Sequence, residues 1–119
     1  MRKKVMEFIN ERFKQVQFQQ ELLLKMVDRR KYPFYSLVIE RGLVEEEMKE
    51  VLSLCEEVNK GYEEMKEEGF VSYLPLLIHF VGMLNIKLEP KETIEALYYQ
   101  GYYRTLMVEL KKLVPNYSD

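Results

Sequence analysis

Apolar side chains recur at helical spacing along most of the chain. Met6, Ile9, Phe13, Val16, Gln20, Leu23 and Val27 follow one another at alternating intervals of three and four, a heptad seam with Gln20 as its polar member. This spacing predicts a long helix over residues 3–28. The local alternation QVQFQ at 15–19 is the competing strand signal, and it is much shorter than the helical one. Phe8, Phe18, Leu22, Leu24 and Met26 widen the apolar surface beyond the seam, so a second contact surface on the same helix is expected.

Pro33 disfavours helical geometry at Tyr32 and can itself open a helix, which predicts a short second helix over 33–41. Gly42 should close it in the left-handed conformation. Val44, Met48, Val51, Cys55, Val58, Tyr62 and Met65 repeat the three-and-four spacing and predict a long third helix over 44–68. Glu45, Glu46 and Glu47 fill its first turn, where the helix dipole favours acids, and Gly61 weakens its interior enough to permit a bend. A fourth helix over 73–87, with Ser72 as cap, contains the run LLIHFVGML and is expected to lie buried in the middle of a bundle. A fifth helix starts at Pro90 and ends at Gly101. A sixth runs over 102–114, where Pro115 should stop it and leave residues 116–119 as a loose tail. The expected fold is a single all-α domain over residues 1–119, a compact bundle of five to six helices with two long amphipathic members and a buried fourth.

Composition narrows the functions open to such a bundle. The 119 residues contain one cysteine and one histidine, and five glycines that are all isolated. Cys55 has no disulfide partner in its own chain, which suits a reducing, cytoplasmic location. No glycine pattern of the phosphate-cradling kind occurs, and with His79 alone neither a Glu-x-x-His pair nor an HExxH motif can be built. No metal and no cofactor is expected, and the paired glutamates read as a solvated helix face. Charges follow the basic start too quickly for a signal peptide, and the apolar stretch 70–84 is too short and too interrupted to span a bilayer.

Candidate chemistry is thin. His79 sits in the most apolar helix and reads as a satisfied core residue. A triad of Cys55, His79 and an acid is disfavoured because burial and the adjacent Glu56 and Glu57 oppose the thiolate. Arg29, Arg30 and Lys31, followed by Tyr32, Phe34 and Tyr35, could form a nucleic-acid patch, and helices two and three could be cast as a helix-turn-helix. The first turn of that recognition helix would present three glutamates to phosphate, so nucleic acid is a poor partner and a DNA-binding regulator only an alternative. Tyr98, Tyr99, Tyr102 and Tyr103 straddle Gly101 and cannot all face one core, which makes them candidates for an interface or a small-ligand site. The segment EALYYQGYYRTL looks like one tetratricopeptide turn, but the period near 34 residues that such arrays need is absent.

Three motifs, YPFYSLVIERGLVEEE (32–47), EEGFVSYL (67–74) and GMLNIKLEPKETIEALYYQGYYRTLM (82–107), resemble the YhaI-like family of Bacillus-type bacteria, a domain family of unknown function. The resemblance covers residues 20–112. It implies a compact all-helical cytoplasmic protein, an oligomer, and brings no catalytic residues.

Charge distribution completes the expectation. The net charge of −2 hides a first segment, 1–31, with nine basic against four acidic residues, and a segment 40–69 with four basic against eleven acidic ones. Opposite charge beside two heptad seams favours pairing of helices one and three, within a chain or between subunits. The expected function is therefore not enzymatic. It is a homo-oligomer, dimer or trimer, acting through protein–protein contact, with Ile9, Phe13, Val16, Gln20 and Leu23 as interface residues and no membrane partner.

Overall fold

The computed structural model describes residues 1–69 and 72–117, the last three by backbone only. Six α-helices follow in order: α1 (Arg2–Met26), α2 (Pro33–Glu40), α3 (Glu45–Glu68), α4 (Leu74–Met83), α5 (Pro90–Gln100) and α6 (Arg104–Tyr117). Among the described residues there is no strand, so the all-α expectation holds.

The helices from α2 onward form one body. In it α2 packs on α5, α5 on α6, α6 on α4 and α4 on α3. Its core is supplied by Phe34 and Leu37 of α2, Val51, Cys55 and Val58 of α3, Leu77 and Phe80 of α4, Ile94 and Leu97 of α5, and Leu106, Met107 and Leu110 of α6. Thr93 is the buried polar member, and its hydroxyl donates to the Glu89 carbonyl at 2.7 Å. Gly61 turns out to serve close approach: a Cβ there would stand 3.0 Å from Leu76 Cδ2, so a larger residue would crowd α4 at that point.

Helix ends are set by identifiable groups. Gly42 (φ +69°) and Gly101 (φ +91°) take the left-handed conformation that closes α2 and α5. Glu89 caps α5, its carboxylate accepting from the N–H groups of Lys91 and Glu92 at 3.1 and 2.7 Å. Val44 offers α3 no capping side chain. Instead Glu47 reaches back, and its Oε1 accepts from the Val44 N–H at 3.0 Å. Ser72 Oγ accepts from the Leu74 N–H at 3.3 Å where α4 begins.

Four expectations need correction. First, α4 stops at Met83, not 87, because Leu84 is extended and Asn85 Oδ1 accepts from the Lys87 N–H to make a turn. Second, α4 is not buried all round: Leu76, Leu77 and Phe80 face the core, while Leu74, Ile78 and Met83 are exposed. The first two residues of the stretch 70–84 lie outside the described part. Third, α6 continues through Pro115 to Tyr117, since one missing donor in a last turn does not halt it; the remainder of the expected tail, 118–119, lies outside the described residues. Fourth, and with the largest consequence, of the two pairings left open for α1, within a chain or between subunits, the first does not occur: α1 does not join the bundle. It buries no residue, only Leu24 is even half-covered, and it does not lie along α3. A helix of 25 residues is about 37 Å long, which explains overall extents of 67 × 29 × 28 Å around a small body.

Candidate functional site

The seam on α1 is continuous and open. Ile9, Phe13, Val16 and Leu23 are all exposed, Phe13 and Leu23 to 68% and 59%, and Gln20 stands among them. An apolar furrow of about 320 Å³, lined by Phe8, Ile9, Arg12, Phe13 and Val16, separates this seam from the second stripe. That stripe, Phe8, Phe18, Leu22 and Met26, is equally open. On helical spacing these four fall outside the a and d positions, so a two-stranded pairing through the seam alone leaves them in water. The polar face carries both signs, Lys3, Glu7, Lys14, Glu21 and Lys25, the pattern of a solvent-exposed helix face such as the outer positions of a coiled coil.

A hydrogen-bonded turn fixes the direction in which α1 leaves the body. The Lys31 N–H donates to the Asp28 carbonyl at 3.1 Å, and the Tyr32 N–H to the Arg29 carbonyl at 3.2 Å. Asp28 Oδ1 accepts from the Arg30 N–H at 3.0 Å, and Arg29 lies 3.8 Å from Glu40. The basic cluster is thus partly spent on local acids, with Arg29 and Arg30 each beside a carboxylate. Arg41 likewise faces Glu92, donating at 2.8 and 3.0 Å to its two oxygens.

The four candidate tyrosines fall into three environments. Tyr98 and Tyr99 are held by cations: Lys111 lies 5.2 and 4.9 Å from their ring centres and Arg104 5.0 Å from that of Tyr98. Tyr102 instead joins α2, its hydroxyl 2.9 Å from that of Tyr35 and its ring edge-on to Phe34 at 5.6 Å. The Tyr35 contact, then burial, pushes the Tyr102 hydroxyl up to about 12. Tyr103 is half-buried with φ +50°, a left-handed conformation outside glycine, and burial raises its hydroxyl. The four therefore do not converge on one ligand site.

His79 was expected in the core. It is half-exposed on α4, with Nε2 4.0 Å from a Glu57 oxygen. Cys55 is fully buried, and burial pushes its thiol up to about 12. A groove of about 330 Å³ between α2 and α5 carries Glu40, Glu92 and Glu95 on its wall, but the first two already face Arg29 and Arg41. Among the described residues no three His, Cys, Asp or Glu side chains are grouped to hold a metal ion, and no helix is long and apolar enough to cross a membrane.

Two structural features escaped the sequence reading. Gln100, at the end of α5, caps α2 from across the chain: its Oε1 accepts from the N–H groups of Phe34 and Tyr35 at 2.7 and 3.0 Å. No local spacing could reveal it, because 65 residues or more separate the partners. Glu47 also ties the α4–α5 loop to α3, accepting from Lys87 Nζ at 2.9 Å and Asn85 Nδ2 at 3.0 Å. Lys87, the Val44 N–H and Asn85, in that order, hold its carboxyl down at about 2.

These features define an all-helical protein with a closed five-helix body and a projecting, two-striped amphipathic helix. The sequence model of the family described as Protein of unknown function (DUF1878) matches residues 6–115, and the chain belongs to that family. The match reaches back to the first residue of the α1 seam, well beyond the segment from residue 20 on which the motif resemblance rested, so α1 is part of what defines the family.

Proposed function

We propose that the protein is a homo-oligomer, assembled through α1, that acts by protein–protein contact and has no catalytic role. The observation that carries this reading is the α1 seam, exposed over its full length while every core residue of the chain comes from the body. The open apolar side chains of α1 amount to on the order of 1,000 Å² of surface, comparable to the ~800 Å² per partner of a standard interface. At about 25 cal/mol per Å², covering them supplies a gross gain above the 4–15 kcal/mol that association costs. Gln20 within the seam selects register or stoichiometry at some cost in stability. The free buried cysteine supports a reducing, cytoplasmic setting, and the three motifs support a YhaI-like, Bacillus-type origin.

Light scattering on a size-exclusion column tests the reading. The expected mass is a multiple of 14.4 kDa, and a monomer at micromolar concentration overturns it. Phe13→Asp combined with Leu23→Asp should yield a folded monomer, because neither side chain is buried in the chain. Gln20→Leu should strengthen the assembly or change its stoichiometry.

A further inference from the structure

A second apolar surface lies on the body and is independent of α1. Helix α4 is the one helix without Asp, Glu, Lys or Arg in its sequence. Its outer face presents Leu74, Pro75, Ile78 and Gly82 to solvent, with Ile78 51% exposed, and no atom lies within 4 Å of where a Gly82 Cβ would stand. Bare glycine near the C-terminal end of this apolar helix face permits close approach of another helix there. The rim toward α3 is acidic: Glu57 reaches toward His79, and Glu50 lines a small cleft with Met83.

We propose that this face of α4 receives the second apolar stripe of α1 (Phe8, Phe18 and Leu22) from another copy of the chain. The proposal rests on the reading of the protein as a homo-oligomer and names where its second contact falls. Three observations select this occupant. The stripe falls outside the heptad seam, so seam pairing leaves it uncovered. Lys4, Arg12, Lys14 and Lys25 flank it among Glu7, Glu11 and Glu21, and α1 as a whole carries six basic residues against three acidic ones, a positive balance that complements the Glu50 and Glu57 rim. Docking onto the chain's own α4 is disfavoured, because α5 and α6 intervene between α2 and α4 and the turn at 28–32 directs α1 away. A lipid surface fits less well, since a membrane-lying helix carries a uniformly basic polar face and that of α1 carries both signs.

The test uses two full-length chains, one with Phe18→Cys and one with Ile78→Cys, distinguished by isotopic mass, mixed and treated with a short bis-maleimide. Cys55 stays in place, since it is fully buried. The expected result is a covalent heterodimer linked 18 to 78, formed at least tenfold faster than with Thr105→Cys, an exposed position on α6. Ile78→Asp should weaken association at least tenfold with the far-ultraviolet circular dichroism of the body unchanged. An oligomer by light scattering that gives no 18-to-78 link overturns the α4 docking and leaves assembly through α1 standing. A monomer overturns both. A link formed only within a doubly substituted chain, or a monomer that sediments with phosphatidylserine vesicles through Phe18, overturns the second-copy assignment.

Discussion

Helix α2 has no cap of its own, and Gln100 of α5 supplies one. Tyr32 at the N-cap position makes no side-chain hydrogen bond, and Pro33 offers no donor, so the first donors of the helix are the N–H groups of Phe34 and Tyr35. Both are taken by the same Gln100 oxygen, at 2.7 and 3.0 Å. Gln100→Ala removes that oxygen. A lost N-cap costs about 1 kcal/mol, and the Phe34 N–H belongs to a fully buried residue, so an unpaired donor adds about 1 kcal/mol more. The total is about 2 kcal/mol, or roughly 8 °C in melting temperature for a chain of this size. Urea and thermal unfolding, followed by circular dichroism at one fixed protein concentration, measure it, because association makes apparent stability depend on concentration. Gln100→Glu retains an acceptor and adds a negative charge at a helix N-terminus, and should stay close to the parent at neutral pH. A Gln100→Ala protein within about 0.5 kcal/mol of the parent, or a Gln100→Glu protein as damaged as the alanine variant, would refute the cap.

Other consequences follow from the body. Leu77 is fully buried between α4 and the rest of the core, and Leu77→Ala should cost about 3 kcal/mol in urea unfolding; a loss under about 1 kcal/mol would mean the core is not closed there. The Glu47 carboxyl sits at about 2 in the folded protein against an ordinary value of 4.5, so its contribution is complete above pH 4.5 and is lost as the pH falls toward 2. Glu47→Gln should flatten that part of the stability profile between pH 5 and 2.5, and an unchanged profile would remove Glu47 from it. Cys55 should react with a disulfide reagent only on unfolding, and rapid labelling of the native protein at pH 8 would contradict its burial.

Helix positions were legible because each rests on local signals: the three-and-four spacing of α1 and α3, Pro33 and Pro90 at helix starts, Gly42 and Gly101 at helix ends. The partners of a helix were not. The run LLIHFVGML reads as apolar on every side, yet only one side of α4 meets the core, since among the described residues a ten-residue helix at the border of the body has α3 and α6 as its main neighbours. The same limit misplaced His79, whose apolar sequence neighbours Leu76 and Phe80 point inward while it stands beside Glu57. Charge totals suggested α1 against α3, within a chain or between subunits; such totals carry no direction, and the turn at 28–32 sends α1 away from the α3 of its own chain. Gln100 was invisible for a related reason: a cap supplied from another helix leaves no spacing in the sequence to read.

The separation between α1 and the body has a thermodynamic consequence. Among the described residues, all of the buried side chains belong to α2 through α6 or the loop before α5, so the body closes its core without α1. An isolated helix of this length gains little from its own hydrogen bonds in water and draws its stability from packing of its apolar face. On the proposed assembly, the order of α1 is therefore linked to association, while the core of the body closes without it. Substitutions in the seam should change the assembly and leave the unfolding of the dissociated body nearly untouched, whereas those at Leu77 or Gln100 should lower the stability of the body itself. Sites far apart and without shared partners add independently, so a seam variant combined with Gln100→Ala should show the sum of the two effects. Strong coupling between them would mean that α1 packs directly against the part of a body that holds Gln100, its own or that of another copy.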